Sequence, residues 1–174
     1  MMKHIELRRH TDNDGDYLTP GGIKAALEIG RTLQGPYDLL VSSGAQRSTQ
    51  TLACFLAAMG ATVAGGVIVD ERFRSEDEDR WKRAYKEAGA GDLESFRRVD
   101  PEWVEAESRR FAAALRDLFA RLPDGGRALV VGHSPMNEAA VYGLTRELIE
   151  PLPKGAGVLV TATNDGSYEV TQLD

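Results

Sequence analysis

Cysteine is almost absent from this sequence. Cys54 stands alone among 174 residues, which excludes a disulfide framework and a zinc site built on cysteines. No apolar run is long enough to span a bilayer, and no leader pattern of charge followed by an apolar stretch opens the chain. A bacterial-type cytoplasm is therefore the expected location. Positive charge is in deficit, with 21 Lys and Arg against 27 Asp and Glu. The net charge of -6 argues against a broad nucleic-acid surface, although it leaves room for a local basic pocket. Histidine is scarce too, with three residues, and no His-x-x-x-His or Glu-x-x-His spacing occurs. Neither a metal site nor a cofactor is expected. What remains is an ordinary balance of 42% hydrophobic and 28% charged residues, suited to one globular domain with a sizeable core.

The hydrophobic pattern alternates strand and helix. Strands are expected at Ile5 to Arg9, Leu39 to Val41, Val67 to Val69 and Ala128 to Val131. Between them, a helix capped by Thr19 and opened by Pro20 runs to about Gly35. Others are expected from about Ala45 to Met59, from Pro101 to about Leu122, and from Pro135 to about Thr145. Val158 to Thr161 and Tyr168 to Val170 read as a closing hairpin around Asn164-Asp165-Gly166. Such alternation predicts an α/β three-layer sandwich, with a mostly parallel central sheet and helices on both faces. Residues 70–100 break the pattern with a charge cluster at 76–80 and glycines at 89 and 91. They read either as a solvated excursion or as an insertion capping the sheet ends. Glu6 and Arg8 sit inside a strand that should be buried, and so need partners.

Two of the three histidines end predicted strands, at Arg9-His10-Thr11 and Gly132-His133-Ser134-Pro135. In a parallel α/β sheet, ligands bind at the carboxyl ends of the strands. An imidazole is a competent nucleophile near neutral pH, and an arginine beside it supplies a planar fork for anion oxygens. Taken singly, either histidine could be structural. His4, at the opposite end of the first strand, is read as structural or exposed.

Arg9-His10-Thr11 followed by Leu18-Thr19-Pro20-Gly21-Gly22 resembles the opening of the histidine phosphatase superfamily, also called phosphoglycerate mutase-like. There an Arg-His-Gly motif precedes a Leu-Thr-x-x-Gly helix start. Ser42 to Thr51, with Arg47 on a helix after Ser-Ser, resembles the second motif of that family. Gly132-His133-Ser134-Pro135 resembles its late Gly-His motif. The motifs occur in the family's order over most of the chain. The resemblance implies a phosphoglycerate mutase-like fold and a metal-independent phosphatase. It implies His10 as nucleophile through a phosphohistidine, Arg9, Arg47 and Thr11 on the phosphate, and His133 as a further donor. Thr11 replaces the commoner glycine.

A second departure matters more. Many family members carry a glutamate general acid after the third strand, in Asp-x-x-Leu-x-Glu. Here the stretch reads Asp70-Glu71-Arg72-Phe73-Arg74-Ser75, so the glutamate position holds Ser75. Glu71, Glu76, Asp14, Asp16 and Asp12 are the candidate acids, and none is singled out. The partner is expected to be a phosphorylated small molecule or a phosphohistidine protein. A phosphoglycerate-type mutase and a non-catalytic phospho-ligand binder on the same fold are the alternatives.

Overall fold

The computed structural model describes residues 1–173. Six strands form one sheet: β1 (Lys3–Arg9), β4 (Leu39–Ser42), β5 (Val67–Val69), β6 (Arg127–Gly132), β7 (Gly157–Ala162) and β8 (Tyr168–Leu173). Their order across the sheet is β5-β4-β6-β1-β7-β8. The pairs β5–β4, β4–β6 and β6–β1 are parallel, and β7 and β8 close the sheet as an antiparallel hairpin. The sheet is thus mostly parallel, as the alternation predicted. A small hairpin, β2 (Asn13–Asp14) with β3 (Tyr17–Leu18), turns through Gly15 at φ +61°; at two residues a strand it is too short for a periodic signal.

Strand alternation sends side chains to two apolar layers. On one face Ile5, Leu7, Val41, Ala128, Val130, Val158 and Val160 pack with the helices α5 (Pro101–Arg121) and α6 (Met136–Thr145). On the other, Leu40, Leu129 and Val131 pack with α1 (Pro20–Gly30) and α2 (Gln46–Met59) through Ala26, Leu52 and Phe55. α1 is capped as the sequence predicts: Thr19 Oγ1 accepts from the Gly22 amide at 3.0 Å, and Pro20 stands at the first position. It stops at Gly30 rather than near Gly35. The Thr32 amide and hydroxyl both donate to the Ile29 carbonyl, at 2.8 and 2.7 Å, which closes the helix early.

The charges in β1 are paired. Arg8 Nε donates to Glu6 Oε2 at 2.8 Å, two residues away on the same face of the strand. The other Glu6 oxygen accepts from Tyr37 Oη at 2.9 Å and Arg127 Nη2 at 3.1 Å. A carboxylate with this many donors meets the cost of burial. His4 Nδ1 lies 2.9 Å from Thr161 Oγ1 across β1–β7, at the far end from His10.

Residues 70–100 are ordered as one 3-10 turn (Glu71–Phe73) and two helices, α3 (Glu78–Ala88) and α4 (Leu93–Val99). Asp77 and Asp92 cap the helices by accepting from the amides of Arg80 and Ser95, both at 3.1 Å. Buried Glu107 on α5 holds this segment down. Its carboxylate accepts from Trp81 Nε1 at 3.0 Å, from Arg110 Nε at 3.3 Å and from the Ser75 hydroxyl.

Candidate active site

The register of the central strands assembles the site. β1 and β6 run side by side with Arg9 opposite Gly132, so the residues that follow, His10 and His133, emerge together. The His10 amide donates to the Gly132 carbonyl at 3.0 Å, and the Ser43 amide donates to Val131 O at 3.2 Å. The two imidazole centroids lie 5.4 Å apart, edge to face. Two glycines permit this packing. A Cβ on Gly22 would meet the Asp12 carbonyl oxygen at 2.0 Å, so only glycine lets α1 press against the turn after His10. Gly155, at φ +82°, turns its amide to donate to the carbonyls of both Arg9 and His10, each at 3.1 Å.

His10 is held in a defined tautomer. Its Nδ1 lies 2.8 Å from the Thr11 carbonyl, which can only accept, so Nδ1 carries the proton and Nε2 the lone pair. Burial, with a smaller contribution from the charges of Arg47, Arg9 and Lys154, pushes its pKa down from 6.5 to about 4. The ring is neutral at physiological pH. His133 is pushed well below its ordinary value by burial, and then by Arg47 and His10. Arg47 Nη2 donates to its Nδ1 at 3.4 Å, so Nε2 carries the proton and donates to Ser43 Oγ at 2.8 Å. Ser43 passes the chain on to Ser48 at 3.0 Å.

Both arginines reach the same cavity, of about 580 Å³. Arg9, His10, Arg47 and His133 line one part of it, and Lys82, Lys154 and Glu78 also border it. Four cations against one carboxylate make this an electropositive hollow in an acidic chain. Arg47 Nη1 is held by Asp16 at 2.8 Å, and Arg9 Nη1 donates to the Leu152 carbonyl at 2.9 Å.

The structure thus brings together His10, His133, Arg9 and Arg47, with Asp16 behind Arg47. It does not bring in the rest. The Thr11 hydroxyl donates to Gly22 O at 2.8 Å and lies buried against Thr51, so it anchors α1 and is not among the cavity's lining residues. Glu71 and Glu76 line a separate cavity with Ser43, Arg72, Arg74 and Arg110. Asp14 sits exposed in the β2–β3 hairpin, and Asp12 pairs with Lys154 at 2.8 Å and Thr19 at 2.8 Å. Ser75 is buried against Glu107.

Two acidic residues escaped the sequence reading. Glu78, in the first turn of α3, places Oε1 2.7 Å from Arg74 Nε and 3.8 Å from Arg47 Nη2. It sits inside the acidic cluster at 76–79, where nothing marks it out. Glu138, in the first turn of α6, is 1% exposed. One of its oxygens accepts from the Ser134 hydroxyl, and Oε1 is buried without a hydrogen-bond partner. Burial raises its pKa from 4.5 to about 7, against the pull of Ser134 and Arg9. Its place five residues after His133 was the available signal. Among the described residues no group of three His, Cys, Asp or Glu side chains is arranged to hold a metal ion, and no helix is long and apolar enough to cross a membrane.

A comparison with curated protein sequences finds no match. The family profile described as histidine phosphatase superfamily (branch 1) matches residues 3–159. Among solved structures, the phosphoglycerate mutase of Bacillus anthracis str. Sterne aligns with TM-score 0.75 at 17% identity, over 99% of this chain and 92% of that one. A mycobacterial glucosyl-3-phosphoglycerate phosphatase aligns with TM-score 0.74 at 16% identity, over 99% of both chains. The protein histidine phosphatase SixA, complexed with tungstate, aligns with TM-score 0.66 at 17% identity, over 98% of this chain and 96% of that one. At these identities the likeness establishes the fold.

Proposed function

The chain belongs to the histidine phosphatase superfamily, branch 1, and from that premise we propose that it is a phosphatase working through a phosphohistidine at His10. The observation that carries this reading is the hydrogen bond from His10 Nδ1 to Thr11 O, which leaves the lone pair on Nε2 of a neutral ring lining an electropositive cavity.

Nε2 attacks phosphorus, the bond from phosphorus to the leaving oxygen breaks, and that oxygen takes up a proton. Water then attacks the phosphohistidine, the P–N bond breaks, and inorganic phosphate leaves with the ring lone pair restored. Arg9 and Arg47 carry the charge on the non-bridging oxygens. A phosphoryl group that draws the Arg47 guanidinium towards it releases His133 Nδ1. That nitrogen can then take up a proton and donate to the same group, with the ring still fixed from behind by Ser43. Asp16 keeps Arg47 oriented from its outer side. Residues 70–100 act as a cap, because Glu78, Trp81, Lys82, Tyr85 and Phe96 from that segment all border the cavity.

The test is chemical trapping. Wild-type protein quenched in alkali during turnover of an aryl phosphate should carry an acid-labile phosphoryl group on the peptide containing His10, and His10→Ala should carry none. Losing a covalent nucleophile typically lowers turnover by several orders of magnitude. A folded His10→Ala protein with near-normal turnover would sink the mechanism.

A further inference from the structure

The phosphatase reading leaves one end of the cavity unassigned, and that end is aromatic. Trp81 and Tyr85 stand four residues apart on α3, so they share a helix face. Phe96 on α4 packs edge-on against Trp81 at 5.4 Å between centroids and lies 6.5 Å from Tyr85. Trp81 is fixed by its indole bond to Glu107 at 3.0 Å. Trp81 and Phe96 are buried, as core rings should be, but Tyr85 is 56% exposed. All three border the cavity, and Met136 adds apolar surface from the start of α6. A core would have covered Tyr85; here a rigid aromatic wall opens onto the hollow that holds the nucleophile.

A second observation concerns the leaving group. Glu78 is the one carboxylate among the described residues that line this cavity, and its Oε1 is already an acceptor for Arg74 at 2.7 Å. Glu71 and Glu76 open onto the neighbouring cavity instead. An alkoxide departs slowly without a proton donor, whereas a phenol, with a pKa near that of tyrosine at about 10, departs without one.

Resting on the phosphatase reading above, we propose that the substrates are small aryl phosphomonoesters, with the phosphate between Arg9 and Arg47 and the ring against Tyr85, backed by Trp81 and Phe96. His10 Nε2 bonds to phosphorus as the P–O bond to the ring oxygen breaks, and the phenolate takes its proton from water. The cavity's volume of about 580 Å³ falls within the roughly 300–1,000 Å³ usual for small-molecule sites.

The experiment separates binding from leaving-group chemistry by using phosphonates, which cannot be cleaved. Phenylphosphonate and methylphosphonate are compared as ligands by the quenching of tryptophan fluorescence and as inhibitors of 2-naphthyl phosphate turnover. The aryl compound should bind at least about tenfold more tightly, and Tyr85→Ala should remove most of that advantage, since ring contacts of this kind are worth about that factor. In turnover, the ratio of kcat/KM for 2-naphthyl phosphate to that for glycerol 2-phosphate should fall about tenfold in Tyr85→Ala. Equal binding of the two phosphonates overturns the aryl assignment, and does so without touching the phosphatase reading if monoesters are still hydrolysed. A phosphotyrosine peptide that binds more tightly than phenylphosphonate overturns the small-molecule assignment. Selective aryl binding with no vanadate-sensitive turnover of any monoester removes the phosphatase reading and leaves the ligand class standing.

Discussion

Glu138→Gln should change how the protein responds to pH, in a direction the structure fixes. The ordinary glutamate pKa is 4.5, and burial lifts Glu138 to about 7. Between those values the folded protein holds a proton that the unfolded chain has already released. Stability from this group is therefore fully present below about pH 4.5 and is lost as pH rises through 7. A shift of this size corresponds to about 3 kcal/mol. Urea denaturation at pH 5 and pH 8 should show wild type losing about that much more stability than Glu138→Gln across the interval. The same group should tune anion affinity. Arg9 both lines the cavity and feels the charge of Glu138, so a carboxylate there competes with the bound anion for the guanidinium. The other groups acting on Glu138 are the Ser134 hydroxyl and the backbone amides of Glu138 and Leu152, none of which titrates here. Sulfate is a suitable probe because it stays dianionic. With a pKa near 4 the His10 ring stays neutral between pH 6 and 8.5, and His133 is common to wild type and Glu138→Gln, so the difference between their two profiles reports Glu138. Calorimetry should show wild-type sulfate affinity weakening by about five- to tenfold across that range, and Glu138→Gln changing far less. Identical pH profiles for the two proteins, in stability and in sulfate binding, would refute the reasoning.

Three further outcomes follow from the same geometry. In an NMR titration the His10 ring should stay neutral down to about pH 4; a midpoint near 6.5 would contradict its burial. Thr11→Val removes a bond to Gly22 O and should cost about 1 kcal/mol in denaturant. It should change sulfate affinity less than twofold, whereas a phosphate-binding threonine would lose about tenfold. Glu107→Leu strands the Trp81 indole and the Ser75 hydroxyl; it should cost about 3 kcal/mol and alter tryptophan emission, and unchanged emission would contradict the anchoring role.

The fold was legible because its signals are local. Alternating apolar runs and the Thr19-Pro20 cap place the sheet and α1 before any tertiary contact is known. His10, His133 and Arg9 were legible because each sits at or beside a strand end, where the register of β1 on β6 carries it to the cavity; Arg47 follows on α2, just after β4, which pairs with β6. The carboxylates were not. Glu71, Glu76, Glu78 and Glu107 look alike in a charged stretch or on a helix. Which of them faces the His10 cavity, a second cavity or a buried indole depends on how α3 packs against α5, a contact between separate segments of the chain. Thr11 misled for a similar reason: its neighbour His10 faces the cavity, whereas its own hydroxyl is claimed by α1.

The two ends of the cavity come from different kinds of sequence. Arg9, His10, Arg47 and His133 are scattered along the chain and meet only because the central strands pair in register. Trp81, Tyr85 and Phe96 lie within a single stretch, entered after β5 and left at Pro101. The two ends touch through Glu78, whose carboxylate lies 3.8 Å from Arg47. Recombination within a short interval of the gene would exchange the aromatic wall whole, whereas no single crossover could transplant the end lined by Arg9, His10, Arg47 and His133. Grafting residues 74–100 between relatives of this fold is the laboratory counterpart, and such a graft must keep the contacts that Trp103, Glu107 and Arg110 of α5 make with the segment.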